Sequence, residues 1–185
     1  MTGLVFAVLA YTAVHEVGHA LAALALGLPL AGVSLGVGPV LASVKIRGVS
    51  LELRAIPLSG AARFDDRVLD DPRLRSRLAA CAAAGPAANV LAAALMSALV
   101  PSVVPDGGHW PSPAQLFWLL NAVCGPLNLL LPIPPTDGAR AVALAFGAGP
   151  QLVARLDRAG AVVWAAATCA FAAALAARIM HSAGV

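Results

Sequence analysis

The stretch Val8-Leu9-Ala10-Tyr11-Thr12-Ala13-Val14-His15-Glu16-Val17-Gly18-His19-Ala20-Leu21-Ala22-Ala23-Leu24 is apolar except around His15-Glu16-Val17-Gly18-His19. It sits in a longer apolar run from about Leu4 to Leu30, and about 20 such residues in a helix cross a hydrocarbon core. An ionisable group at that depth costs about 2.5 to 3.5 kcal/mol, so three within five residues point to function. On a helix, positions i and i+4 differ by about 40° in azimuth, which turns both imidazoles the same way. They can then share one zinc ion, with Glu16 beside them to deprotonate a bound water. The competing reading is a polar cluster that joins helices.

Composition agrees with a membrane chain. Of 185 residues, 60% are hydrophobic and only 11% charged, whereas an ordinary soluble domain is about a quarter charged. Disorder is excluded on the same ground. The formal net charge of +3 does not indicate a nucleic-acid partner, because the charges fall in short loops between apolar segments. Cys81, Cys124 and Cys169 lack paired spacing and read as small buried hydrophobes. With no basic region before it and no clear cleavage site, the first apolar segment is expected to stay in the mature protein.

Four stretches are long enough to span, near residues 4–30, 78–100, 116–131 and 159–179. The expected fold is therefore an all-α polytopic membrane protein, a single domain over residues 1–185. The third span contains Gly125-Pro126 and runs into Pro132-Ile133-Pro134-Pro135, so it is expected to break where protein or water can satisfy the freed backbone. Basic residues collect between the first two spans, from Lys45 to Arg77, and again at Arg140, Arg155 and Arg158. By the positive-inside rule those loops are cytoplasmic, with both termini and the Asp106 to Trp110 loop outside.

Within the first basic loop, Val44, Ile46, Val49, Leu51 and Leu53 alternate with Lys45, Arg47, Ser50, Glu52 and Arg54 around Gly48. Period-two patterning about a turn predicts a β-hairpin at the membrane surface, over about residues 33–62. The residues from Asp65 to Arg77 read as a solvated charged linker.

Catalytic zinc needs a third protein ligand, with the fourth position left to water. Glu52, Asp65, Asp66, Asp70, Asp71, Asp106 and Asp157 read as solvated. Asp137 instead follows the proline break and opens a short helical segment near Ala139 to Phe146. It reads either as a helix N-cap or as the missing ligand, and the unfilled zinc motif favours the ligand.

Taken in order along the chain, these motifs resemble the site-2 protease family of intramembrane zinc metallopeptidases. His15-Glu16-Val17-Gly18-His19 matches its zinc motif, Gly36-Val37-Gly38-Pro39 its glycine-proline turn, and Ile56-Pro57-Leu58-Ser59-Gly60 its Pro-Leu-Gly-Gly surface loop. Gly85-Pro86-Ala87-Ala88-Asn89 resembles its second-span signature, and the run from Asn128 to Gly138 resembles the signature that carries its third zinc ligand. Ser59 stands for a glycine, Thr136 for a leucine, and one leucine is extra before Pro132. None of these departures removes a ligand or the base. At this length the chain is expected to be a minimal form, without the PDZ or CBS domains of many relatives.

The resemblance implies cleavage of a peptide bond within or beside a transmembrane segment of a membrane-anchored protein. His15, His19 and Asp137 would hold one Zn²⁺, and Glu16 would serve as general base. Asn89 would bind substrate or stabilise the oxyanion, or else hydrogen-bond between helices. A catalytically silent relative that binds transmembrane segments as a scaffold or chaperone is the alternative. The intact Glu16 argues against it, since a binding protein needs no base there. The expected partners are the substrate and the bilayer, with a second copy or a regulatory membrane protein to screen the cleft.

Overall fold

The computed structural model describes residues 2–65, 71–100, 112–149, 151–163 and 166. Helix α1 (Thr2–Ala25) leads into two long strands, β1 (Leu30–Ile46) and β2 (Val49–Phe64). A single 3-10 turn (Pro72–Leu74) then starts α2 (Arg75–Leu99), followed by α3 (Pro113–Leu130) and α4 (Asp137–Ala145). Residues 151–163 are also helical.

The expectation of an all-α protein with four spans is overturned. The segment after α1 forms an antiparallel sheet whose strands have 17 and 16 residues. Valines at 33, 37, 40 and 44 favour extended backbone, and glycines break the run before a helix can nucleate. The Arg47-Gly48 turn has φ of 49° and 90°, the positive pair that a two-residue hairpin loop needs. The hairpin expected around Gly48 is therefore present, but it extends back to Leu30 and on to Phe64. β1 residues 33–35 lie opposite both Ala62 to Gly60 and Leu51 to Leu53. The start of β1 is thus flanked by the two halves of β2, and residues 60–64 form an outer edge.

Among the described residues, two helices are long and apolar enough to cross a membrane, Gly3–Ala25 and Pro72–Leu99. The first apolar run stops short of its expected end, because Gly27 (φ 66°) turns the chain toward the sheet. α3 has 18 residues, or about 27 Å at 1.5 Å per residue, against a core of about 30 Å. Gln115, Asn121, Asn128 and two prolines dilute it further. Most of the expected fourth span, and the outer loop with His109 and Trp110, lie outside the described residues.

α1 is polar inside and apolar outside. Thr12, His15, Glu16, His19 and Ala23 are buried, whereas Val17, Leu21 and Leu24 are 53%, 61% and 63% exposed. Water as the outer solvent would favour the reverse arrangement. α2 packs on α1, α3 and α4, and the sheet lies against α1. A small apolar core of Ala23, Leu28, Leu78, Cys81, Leu144 and Val153 joins α1, α2, α4 and the last described helical segment. Trp118 ties α3 to α2, its indole N–H donating to Ser97 Oγ at 2.7 Å.

On the exposed face of the sheet, Glu52 accepts hydrogen bonds from Arg63 and Arg54. Arg63 first and Arg54 second hold its carboxyl below the usual range. The pair bridges both halves of β2, and Glu52 is less solvated than its sequence surroundings implied.

Candidate metal centre and active site

The helical period of α1 places His15 and His19 on its buried face. The two Nε2 atoms lie 3.1 Å apart. Asp137 Oδ2 approaches them from α4, 2.9 Å from His15 Nε2 and 3.5 Å from His19 Nε2. The proline break supplies that approach. α3 ends at Leu130, and six residues later Thr136 caps α4, its Oγ accepting from Ala139 N–H at 3.2 Å. Asp137 is therefore not the cap, and its side chain is released toward α1. The Thr136 that departs from the usual leucine is what does the capping.

The donor set fits a divalent ion. Zinc held at about 2.0 to 2.1 Å in a tetrahedron requires neighbouring ligand atoms about 3.3 Å apart, which the three separations bracket. His19 Nδ1–H donates to the Cys81 backbone oxygen at 2.8 Å. That bond fixes the tautomer and leaves the Nε2 lone pair for a metal. Glu16 Oε2, next in sequence to His15, is buried with no hydrogen-bond partner among the described residues.

Asp137 is tightly held. It is buried, and both its oxygens have partners, Oδ2 lying 2.9 Å from His15 Nε2. Asn128 Nδ2–H donates to Oδ2 at 2.7 Å, and the Asp137 N–H donates to Asn128 Oδ1 at 3.1 Å. Arg140 Nη1 donates to Oδ1 at 3.1 Å.

A cavity of about 750 Å³ opens on this centre, walled by Tyr11, Thr12, Glu16, residues 59–64 of β2, Asn128, Arg140 and Asp157. The Gly60 backbone packs directly against the Glu16 carboxylate, with no room for a Cβ. Ile56 to Gly60 thus belongs to strand β2 rather than to a surface loop, and it brings the outer edge of the sheet to the base. Asn89, by contrast, is fully buried, does not line this cavity, and packs against Gly125 of α3. Its amide nitrogen and oxygen have no hydrogen-bond partners among the described residues.

Three residues in or around the cavity escaped the sequence reading. In the sequence Asn128 carries no assignable role and Arg140 reads only as a loop charge. Asp157 reads as solvated, yet it lines the cavity and pairs with Arg140 at 2.8 Å. The i, i+3 spacing of Asp137 and Arg140 was the available signal. Nothing local marks Asp157.

Gly85 of α2 lies so close to His19 that a Cβ there would strike the imidazole at Nε2, the nitrogen turned toward His15 and Asp137. Gly85→Ala is expected to weaken divalent-metal binding on the order of a hundredfold, the upper range for losing a residue that orients a ligand. Zinc titration of the purified variant checks this, and unchanged affinity would refute the packing argument.

A helix-borne His-Glu-x-x-His pair completed by a distant aspartate, inside a helical chain with an inserted sheet, defines a metallopeptidase-like site. The chain belongs to peptidase family M50, the site-2 protease family, whose model matches residues 3–106. That match includes both histidines, Glu16 and Gly85. Asp137 lies beyond it and is joined to the site by the fold. Over 53 residues the chain is 43% identical to a protein described as probable membrane metalloprotease ARASP2, chloroplastic, from Arabidopsis thaliana. The match covers 29% of this chain and 12% of that relative.

Proposed function

We propose that this protein is a zinc-dependent intramembrane endopeptidase that hydrolyses a peptide bond within or beside a transmembrane segment of a membrane-anchored substrate. The observation that carries the proposal is the convergence of His15, His19 and Asp137 on one buried point beside Glu16. His15 and His19 through Nε2, with Asp137 through Oδ2, would hold the ion. Bound zinc supplies Lewis acidity, lowering the pKa of a water toward neutrality and polarising a carbonyl. Glu16 would accept a proton from the attacking water and return it to the leaving amine. Asn89 enters only as packing between α2 and α3.

The chain sits in a membrane, with the apolar outer faces of α1 and α2 toward lipid and the basic loops toward the cytoplasm. The outer edge of β2 offers an unwound substrate segment a strand to pair with, directly above Glu16. Successive backbone N–H groups on a strand point to opposite sides. Of Ala61→Pro and Ala62→Pro, one therefore removes a free-edge donor and the other a ladder bond. The edge variant should keep its zinc and lose roughly tenfold in cleavage, the worth of about one hydrogen bond. Full cleavage by both variants would remove substrate pairing from the account.

The overall test is made on purified protein in detergent, by elemental zinc analysis together with cleavage of a model single-span substrate. One zinc per chain with cleavage is the expected result. Protein that holds no zinc and cuts nothing would instead favour a silent scaffold.

A further inference from the structure

We infer that Arg140 and Asp157 act as a positioning pair for the metal-facing carboxylate of Asp137, an inference that rests on the zinc-site reading and deepens it. Asp137 divides its two oxygens between two tasks. Oδ2 faces the imidazoles, while Oδ1 accepts from Arg140 Nη1 at 3.1 Å. The guanidinium is itself fixed from the other side. Its Nε and Nη2 both donate to Asp157 Oδ2, at 3.0 and 2.8 Å. One planar fork thus bridges two carboxylates, one on the first turn of α4 and the other on the helical segment 151–163.

Without Arg140, Oδ1 of a buried carboxylate loses its donor, and the contacts of Oδ2 with Asn128 and His15 are left to set the carboxylate's rotation alone. A second effect has the opposite sign, because a guanidinium beside the site repels a divalent cation. Asp157 cancels that charge, so the pair delivers orientation without net repulsion. This explains why a carboxylate from a distant segment reaches into the cavity mouth. As a prop for the fold the pair would count for little, since the Arg140 side chain is 39% and that of Asp157 22% exposed. Lysine cannot replace Arg140, because an ammonium on a flexible stem lacks the fork that holds both partners at once.

The test uses full-length protein in detergent, with Zn²⁺ affinity measured by chelator competition and the visible spectrum of Co²⁺ bound in its place. Arg140→Ala should weaken zinc binding about tenfold to a hundredfold, as the loss of an outer-sphere partner does, and should shift the cobalt bands. Arg140→Lys should fail to restore either. Asp157→Asn, which preserves shape, should weaken zinc severalfold in the wild-type background and have no further effect with Arg140→Ala, the non-additivity expected of residues that act through one another. If Arg140→Ala fails to fold, Asp157→Asn carries the test through its own affinity and spectrum. Wild-type affinity and an unchanged cobalt spectrum in these variants, or strictly additive effects, would overturn the inference while leaving the zinc site standing. A wild-type protein that binds neither metal would instead overturn the zinc-site reading itself.

Discussion

Glu16→Gln is expected to keep one zinc per chain and to lose cleavage by a factor of about a hundred to ten thousand, the usual contribution of a positioned general base. Glutamine has the size of glutamate, so the close contact with the Gly60 backbone survives and the strand edge stays in place. The amide cannot accept the proton of an attacking water. Glu16 is not among the three groups that converge as ligands, so metal content should be unaffected. Single-turnover cleavage of the model substrate, with zinc measured on the same sample, separates the two effects. A variant that cuts as fast as wild type would end the general-base assignment. One that loses its zinc would make Glu16 a structural support of the site.

Asp137→Ala is expected to abolish stoichiometric zinc and cleavage together. Two imidazoles alone leave a site short of the three protein ligands that catalytic zinc uses. The same change leaves Arg140 Nη1 and Asn128 Nδ2 without their acceptor, which removes the outer support as well. The helix itself should survive, since Thr136 Oγ and not Asp137 caps α4. Circular dichroism of the variant should therefore match wild type while elemental analysis finds no zinc. Retained zinc with a lowered melting temperature would mean that Asp137 serves the helix terminus and not the metal.

The legible part of the site was the part carried by one helix. His15, Glu16 and His19 lie within five residues on α1, so the helical period alone turned them to one face. The proline break foretold a free carboxylate after it, because a helix cannot continue through Pro132 to Pro135. The hairpin about Gly48 was legible from its alternation and its turn. The extent of the sheet was not, since Leu30 to Val40 mixes glycine with aliphatic residues and merges by composition with the apolar run before it. Pairing with both halves of β2, Ser50 to Ile56 and Gly60 to Phe64, makes that segment a strand.

By itself, the sequence determined what short-range periodicity can encode: an apolar helix with two imidazoles and a carboxylate, a broken helix that frees Asp137, and a two-residue hairpin turn. The tertiary structure alone decided that Asn128 rather than Asn89 faces the cavity, that Gly60 closes over Glu16, and that Asp157 reaches Arg140. Those pairings depend on how helices cross and where a strand edge comes to rest. Such contacts are set by the packing of whole faces over long chain separations, and no local pattern of residues records them.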